Sequence, residues 1–224
     1  AAAAHLHRTQ GIGRHPEDVL VGPGTKELWF ILQLVCDADI LVPTPSWVSY
    51  ALQGHILGSR VVRVPTTYHS AWRPTAEQLD ELCRPEPSRA RILVVNSPSN
   101  PAGAAFTADQ LSDLTAVARE YGVVIVSDEI YGDLHHEERH ISPVRSYPEG
   151  TIVSSGLSKW CGAGGWRLGV FIFPPSLRPI LDGMAAVAAE TYTSASSPVQ
   201  YAAAAAYRGG PILDDYLVQS RRLL

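Results

Sequence analysis

Gly156-Leu157-Ser158-Lys159-Trp160-Cys161-Gly162-Ala163-Gly164-Gly165-Trp166-Arg167-Leu168-Gly169 separates two short apolar runs, residues 152–154 and 170–173. An amine on a loop of small residues can form a Schiff base with an aldehyde, and a guanidinium eight positions further on can hold a phosphate as a planar fork. The glycines let backbone come close to a ligand. Taken alone, the stretch also suits a solvated basic loop. It leaves no room for a helix between its flanking runs, so the second run is expected to return antiparallel to its neighbours.

Outward from this loop, short apolar runs alternate with helical patterns. Strand candidates are residues 19–21, 40–42, 61–64, 92–95, 123–127, 152–154 and 170–173, mostly unbroken apolar rather than alternating, as strands covered on both faces should be. Residues 26–35 and 48–57 read as amphipathic helices, and Thr75-Ala76-Glu77-Gln78 and Thr107-Ala108-Asp109-Gln110 each read as a capping box opening a helix. The alanines at 202–206 suit a buried helix. Together these predict an α/β fold: a mainly parallel seven-stranded sheet with one antiparallel strand and helices on both faces.

Composition bounds the function. The 224 residues are 46% hydrophobic with a net charge of −4, enough for a substantial core and no electrostatic footprint for nucleic acid or an anionic membrane. No apolar run reaches transmembrane length, and the alanine-rich start lacks the regions of a signal peptide. Cys36, Cys83 and Cys161 are odd in number and at no metal-ligand spacing, which points to free thiols in a reducing, cytoplasmic setting.

Two further segments sit where a parallel sheet places its ligands, beyond the carboxyl ends of strands. Asn96-Ser97-Pro98-Ser99-Asn100-Pro101-Ala102-Gly103 follows one strand, and its composition also suits a plain turn. Ser127-Asp128-Glu129-Ile130-Tyr131 ends another with an acid and, three residues on, a phenol. A carboxylate there is costly to desolvate unless a cation or hydrogen-bond donors meet it, and a protonated ring nitrogen would be such a partner.

In combination these motifs resemble the fold type I pyridoxal-phosphate enzymes, specifically the class I/II aminotransferases. The lysine run is similar to that family's attachment site at every constrained position from Gly156 to Gly169, and the separations of 28 residues from Asn100 to Asp128 and of 8 from Lys159 to Arg167 are similar too. The resemblance covers nearly the whole chain and implies the family's large cofactor-binding domain over residues 1–208, with 209–224 opening the connecting helix to a small domain. Both ends read as cut within helical patterns, which implies a longer protein.

Residue by residue, the resemblance implies an aminotransferase exchanging an amino group between an L-amino acid and a 2-oxo acid. It implies that Lys159 holds pyridoxal 5′-phosphate as a Schiff base and, once freed, moves the proton from Cα. Asp128 would pair with the ring nitrogen, Tyr131 and Asn100 with the ring's phenolic oxygen, and Arg167 and Ser158 with the phosphate. Gly24, Thr25 and Lys26 match the family's phosphate cradle, where a strand ends in a glycine turn and a helix begins. Trp47 corresponds to the aromatic that stacks on the cofactor ring.

The departures matter as well. Gly156 stands where many members carry serine, and the family's substrate-carboxylate arginine belongs to the small domain. Residues 185–197 contain no arginine, which tilts the expected donor towards a neutral or aromatic amino acid. The Tyr192-Thr193-Ser194-Ala195-Ser196-Ser197 loop resembles the segment that reaches across the family's homodimer. A lyase or synthase of the same fold, and a transcription regulator built on such a domain, are the alternatives. His135-His136-Glu137-Glu138-Arg139-His140 could be read as a metal cluster, but a solvated loop fits its composition better. Gly162-Ala163-Gly164-Gly165 is followed by a strand rather than a helix, so a dinucleotide fingerprint fails on context.

Overall fold

Unbroken β-branched runs must be covered on both faces, and this requirement organises the chain. A computed structural model describes residues 1–136 and 139–223. Its strands are β1 (Val19–Gly22), β2 (Asp39–Thr44), β3 (Val61–Pro65), β4 (Arg91–Asn96), β5 (Val124–Asp128), β6 (Thr151–Gly156) and β7 (Gly169–Ile172). They form one seven-stranded sheet in the order β1-β7-β6-β5-β4-β2-β3. The five strands from β3 to β6 are parallel, and β7 runs antiparallel to both β6 and β1. The short lysine loop therefore reverses the chain as expected.

The helices are α1 (Ala2–Gln10), α2 (Thr25–Val35), α3 (Ser49–Leu57), α4 (Ala76–Cys83), α5 (Ala108–Glu120), α6 (Arg178–Thr191), α7 (Ser197–Arg208) and α8 (Pro211–Leu223). Alternate strand residues feed opposite cores, as the pleat requires. Ile40, Val42, Ile92, Val94, Val126 and Ile152 pack with Trp29 and Leu32 of α2, Tyr50 of α3 and Met184 of α6. Leu41, Leu93, Val95 and Ile125 pack on the other side with Leu79 of α4 and Leu111 and Leu114 of α5. Each fully buried aliphatic side chain contributes about 1.5–3 kcal/mol, so these two layers dominate the fold's stability.

Both capping boxes close. Gln78 N–H donates to Thr75 Oγ1 at 3.3 Å while Thr75 N–H donates to Gln78 Oε1 at 3.1 Å; the corresponding distances at Thr107 and Gln110 are 3.3 and 3.0 Å. The alanine run behaves differently from its reading as a buried helix. In α7 only Ala203 and Tyr207 are buried, and Tyr201 is 81% exposed. Alanine suits a helix at either depth, so the composition identified the element and not its burial.

The two parallel strands β4 and β5 end together at Asn96 and Asp128, which are register partners, with Ser154 of β6 beside Asp128. β6 runs two residues further and opens directly into the lysine loop. The segments carrying Asn100, Asp128 and Lys159 are thereby delivered to one edge of the sheet.

Candidate active site

At that edge lies a cavity of about 420 Å³, lined by Thr25, Lys26, Trp47, Tyr50, Asn96, Asn100, Asp128, Ile130, Tyr131, Ser158, Lys159, Gly164 and Arg167. Eight of the nine residues expected to contact a cofactor thus meet Lys159 around one space; the ninth, Gly24, abuts the Arg167 guanidinium.

Asp128 forms the floor. It ends β5 and is 3% exposed. Its Oδ2 accepts from the Tyr50 hydroxyl at 2.6 Å and its Oδ1 from the Ile130 N–H at 3.2 Å. Burial pushes the carboxyl up to about 6, and the Tyr50 and Ile130 donors hold it from rising further. A carboxyl poised in this way gains its charge cheaply once a cation arrives.

Beside it, the Asn96 side chain fixes the following turn. Asn96 Nδ2 donates to the Asp128 carbonyl at 3.0 Å, and Asn96 Oδ1 accepts from the Asn100 N–H at 2.7 Å. Asn100 is thus tied through Asn96 to the end of β5. Lys159 projects from the exposed loop with its ammonium 5.7 Å from the centre of the Tyr131 ring. That places one amine and one phenol together at the cavity's mouth.

The opposite wall gathers hydrogen-bond donors. β1 ends at Gly22, and the turn through Pro23 and Gly24 starts α2 at Thr25, so free N–H groups and the positive end of the helix dipole face the cavity. Gly24 has φ 100°, and a Cβ there would lie 2.2 Å from Arg167 Nη2. Only glycine admits both that backbone and that neighbour. Arg167 itself sits in the left-handed region at φ 55°, and its guanidinium donates to the carbonyls of Gly164 at 2.7 Å and Pro23 at 3.2 Å. Held by these carbonyls, the fork retains N–H groups for a ligand. A non-glycine residue in this conformation is strained, and such strain gathers at ligand sites.

Trp47 stands at the start of α3, edge-on to Tyr50 with ring centroids 5.2 Å apart and an interplanar angle of 85°. The Lys26 ammonium lies 5.1 Å from its ring centre, a cation–π contact. Ser158 lines the cavity directly before Lys159.

Sequence reasoning did not single out Tyr50, Asn96 or Ile130. Tyr50 shares the buried face of α3 with Ser49, Gln53 and Gly54, while the aliphatic Leu52 and Ile56 face outward, so the amphipathic reading of residues 48–57 did not find it; the role of Ile130 is a backbone N–H that no side-chain pattern encodes. Within the 135–140 cluster His136 and Arg139 are exposed, as a solvated loop should be, but His140 departs from that reading. The His140 and Glu129 side chains are each 8% exposed and pair at 3.0 Å, and Ser127 Oγ donates to Glu129 Oε1 at 2.8 Å. Ser142 Oγ donates to the same oxygen. Tertiary packing supplied the partner that a linear reading lacks. Glu137 and Glu138 lie outside the described residues. Among the described residues no group of three His, Cys, Asp or Glu is placed to hold a metal ion.

A parallel sheet whose carboxyl edge gathers a lysine, a buried aspartate and a glycine-arginine anion cradle has the architecture of the fold type I enzymes. The chain belongs to the class I and II aminotransferases, whose family model matches residues 1–224. It is 36% identical over 209 residues to the aspartate aminotransferase of Geobacillus stearothermophilus, covering 90% of this chain and 52% of that protein. It is 34% identical to the aspartate/prephenate aminotransferase of Thermus thermophilus, with 90% and 52% covered. The solved structure of the Thermus thermophilus aspartate aminotransferase with maleate superposes with a TM-score of 0.89 at 32% identity, covering 98% of this chain and 57% of that one. The chain spans about half the length of the curated relatives it matches.

Proposed function

We propose that this chain is the cofactor-binding part of a pyridoxal-phosphate-dependent aminotransferase, with residues 1–208 as the large domain and 209–224 opening the link to a small one. The observation that carries the reading is the single cavity that joins the Lys159 amine, the buried Asp128 carboxylate and the anion cradle of Gly24, Thr25 and Arg167. The donor set fits the cofactor: an amine for an aldehyde, an acid for a pyridine nitrogen, and N–H groups with a guanidinium for a phosphate. Gly24 cannot carry a side chain without displacing Arg167, which is what a bare-backbone cradle requires. Members of the family are generally pyridoxal-phosphate enzymes.

When bound, pyridoxal phosphate supplies an aldehyde that condenses with amines and a protonated ring that accepts the electron pair released at the substrate Cα. Asp128 holds the proton on the ring nitrogen by meeting it as a buried anion. Lys159 Nζ would provide the attachment amine and, when free, would hold and return the proton at the substrate Cα. Asn100 and Tyr131 would hold the group through its phenolic oxygen, and the Trp47 indole would lie against its ring. Thr25 and Ser158 add hydroxyl groups, and Thr25 and Lys26 add backbone N–H groups, to the phosphate wall beside Arg167.

The substrates are an L-amino acid and a 2-oxo acid. Relatives named for aspartate favour a dicarboxylic donor over the neutral or aromatic donor suggested by the arginine-free stretch at 185–197. A homodimer is supported by the apolar residues that α3 exposes, Leu52 at 55% and Ile56 at 73%. A cytoplasmic setting is supported by three free cysteines. No helix among the described residues is long and apolar enough to cross a membrane.

The test is the visible absorption spectrum of the full-length protein with pyridoxal phosphate, before and after a panel of amino acids led by aspartate. A band that Lys159→Ala loses, and that bleaches with a donor while its 2-oxo acid appears, is expected. A band indifferent to Lys159→Ala, or one that decays with ammonia release, would refute transamination.

A further inference from the structure

Tyr50 is 1% exposed, its ring is flanked by two indoles and its backbone is held by a side-chain amide. Trp29 meets it at 4.8 Å and 61°, Trp47 meets it at 5.2 Å and 85°, and its own carbonyl accepts from Gln33 Nε2 at 3.3 Å. A buried phenol needs a hydrogen-bond partner, and here the partner is Asp128 Oδ2 at 2.6 Å. We propose that Tyr50 is a positioning residue of this site, holding the Asp128 carboxylate and the Trp47 indole together in the arrangement that a cationic nitrogen heterocycle requires. The inference rests on the cofactor reading above and adds a residue to it.

The direction of the hydrogen bond follows from chemistry. Burial, with the Asp128 charge adding to it, raises the Tyr50 phenol well above its ordinary value, so Tyr50 is the donor. A donor to the charged form favours the anion, which opposes the burial that drives Asp128 towards its neutral acid. The groups that face Asp128 are Tyr50 from α3, Trp29 from α2, Glu129 and the Ile130 N–H from its own segment, and Tyr131 and Lys159 across the cavity. Glu129 pushes the acid further up. Tyr50, the Ile130 N–H and, more weakly, the Trp29 indole oppose burial; of these, Tyr50 and the Ile130 N–H make direct hydrogen bonds to the carboxylate, and of that pair only Tyr50 can be removed by substitution without touching the backbone. Each carboxylate oxygen keeps further acceptor capacity for a ligand.

This predicts a selective effect. Tyr50→Phe keeps the aromatic ring against Trp29 and Trp47 and deletes one oxygen, so it should weaken ligands that need an anionic Asp128 and spare those that do not. The experiment uses full-length enzyme freed of cofactor and two probes: pyridoxal phosphate, and its carbocyclic analogue in which C–H replaces the ring nitrogen. Binding is read by quenching of tryptophan fluorescence. Tyr50→Phe should weaken pyridoxal phosphate by about tenfold, the scale of one hydrogen bond to a charged group, and the analogue by less than about twofold. Tyr50→His, which keeps a ring and a donor, should restore the wild-type ratio between the probes and serves as the test if Tyr50→Phe does not fold. Equal weakening of both probes would make Tyr50 a packing residue and overturn the proposal. Unchanged binding of both, or a histidine variant whose probe ratio falls to about one, would overturn it as well. Wild-type enzyme that binds pyridoxal phosphate no better than inorganic phosphate overturns the cofactor reading itself, a distinct failure that carries this inference with it.

Discussion

Gly169→Ala tests whether the anion wall depends on contact between β7 and the turn into α2. A Cβ at Gly169 would lie 2.3 Å from Thr25 N, 2.6 Å from Gly24 C and 2.9 Å from Thr25 Cα. Ordinary contacts of this kind fall at about 3.5–4.0 Å, so one backbone must retreat by roughly 1 Å. Neither can do so freely. Gly169 pairs with Gly22 of β1 and Gly156 of β6 at once, and Gly24 is pinned against Arg167. Overpacking of a tight core costs about 1–3 kcal/mol, which should lower the melting temperature by several degrees. The larger effect should fall on the ligand, because the displaced atom is the Thr25 N–H of the cradle. Losing one such donor to a charged phosphate costs roughly 1.5–3 kcal/mol, or about ten- to a hundredfold in pyridoxal phosphate affinity. The assay is calorimetric titration of cofactor-free full-length enzyme with pyridoxal phosphate, alongside thermal melts. A variant that melts several degrees lower but binds with wild-type affinity would show that the cradle does not use this backbone and would refute the reasoning.

Three further outcomes can be checked directly. Asp128→Asn should weaken pyridoxal phosphate yet stabilise the cofactor-free protein above pH 6. Burial raises the acid to about 6, so its contribution is fully present below the unfolded value and is lost as pH rises through the folded one. That amounts to about 2–3 kcal/mol at neutral pH; urea melts showing no gain at pH 8, or an equal gain at pH 4, would contradict it. His140→Gln should destabilise by about 3–5 kcal/mol near pH 6 by leaving Glu129 buried without its cation. Burial pulls His140 down, but Glu129 and Asp133 together outweigh it and the net shift is upward. The contribution of His140 is therefore present below about 6.5 and lost as pH rises through its folded value. A gap between wild type and variant that stays constant from pH 6 to 9 in urea melts would argue against the pair. Thr107→Ala should cost about 1 kcal/mol by removing the hydroxyl that accepts from Gln110 N–H, with no change in pyridoxal phosphate binding.

Much of the site was legible because its groups sit at positions a linear reading can locate. Apolar runs that end in Asn96, Asp128 and Gly156 mark the carboxyl ends of parallel strands, and ligands bind there for reasons of topology. The lysine-to-arginine loop announced a chain reversal, since 12 residues between β6 and β7 cannot hold a crossover helix. Residues whose function depends on what lies opposite them were less legible. Tyr50, on a helix face it shares with Ser49, Gln53 and Gly54, and His140, in a polar loop, have no sequence surroundings that mark them as buried partners of a carboxylate. Only their partners, 78 residues away in sequence for Tyr50, reveal otherwise.

From its sequence alone this chain determined its strands, its capping boxes and the antiparallel return of β7, because hydrophobic period, side-chain capping and loop length are local properties. Tertiary structure decided the rest. It brought Gly24 against Arg167, the Tyr50 hydroxyl onto Asp128 and His140 onto Glu129. Those contacts set the charge, the orientation and the anion cradle, and all three depend on distances through space that no spacing along the chain specifies.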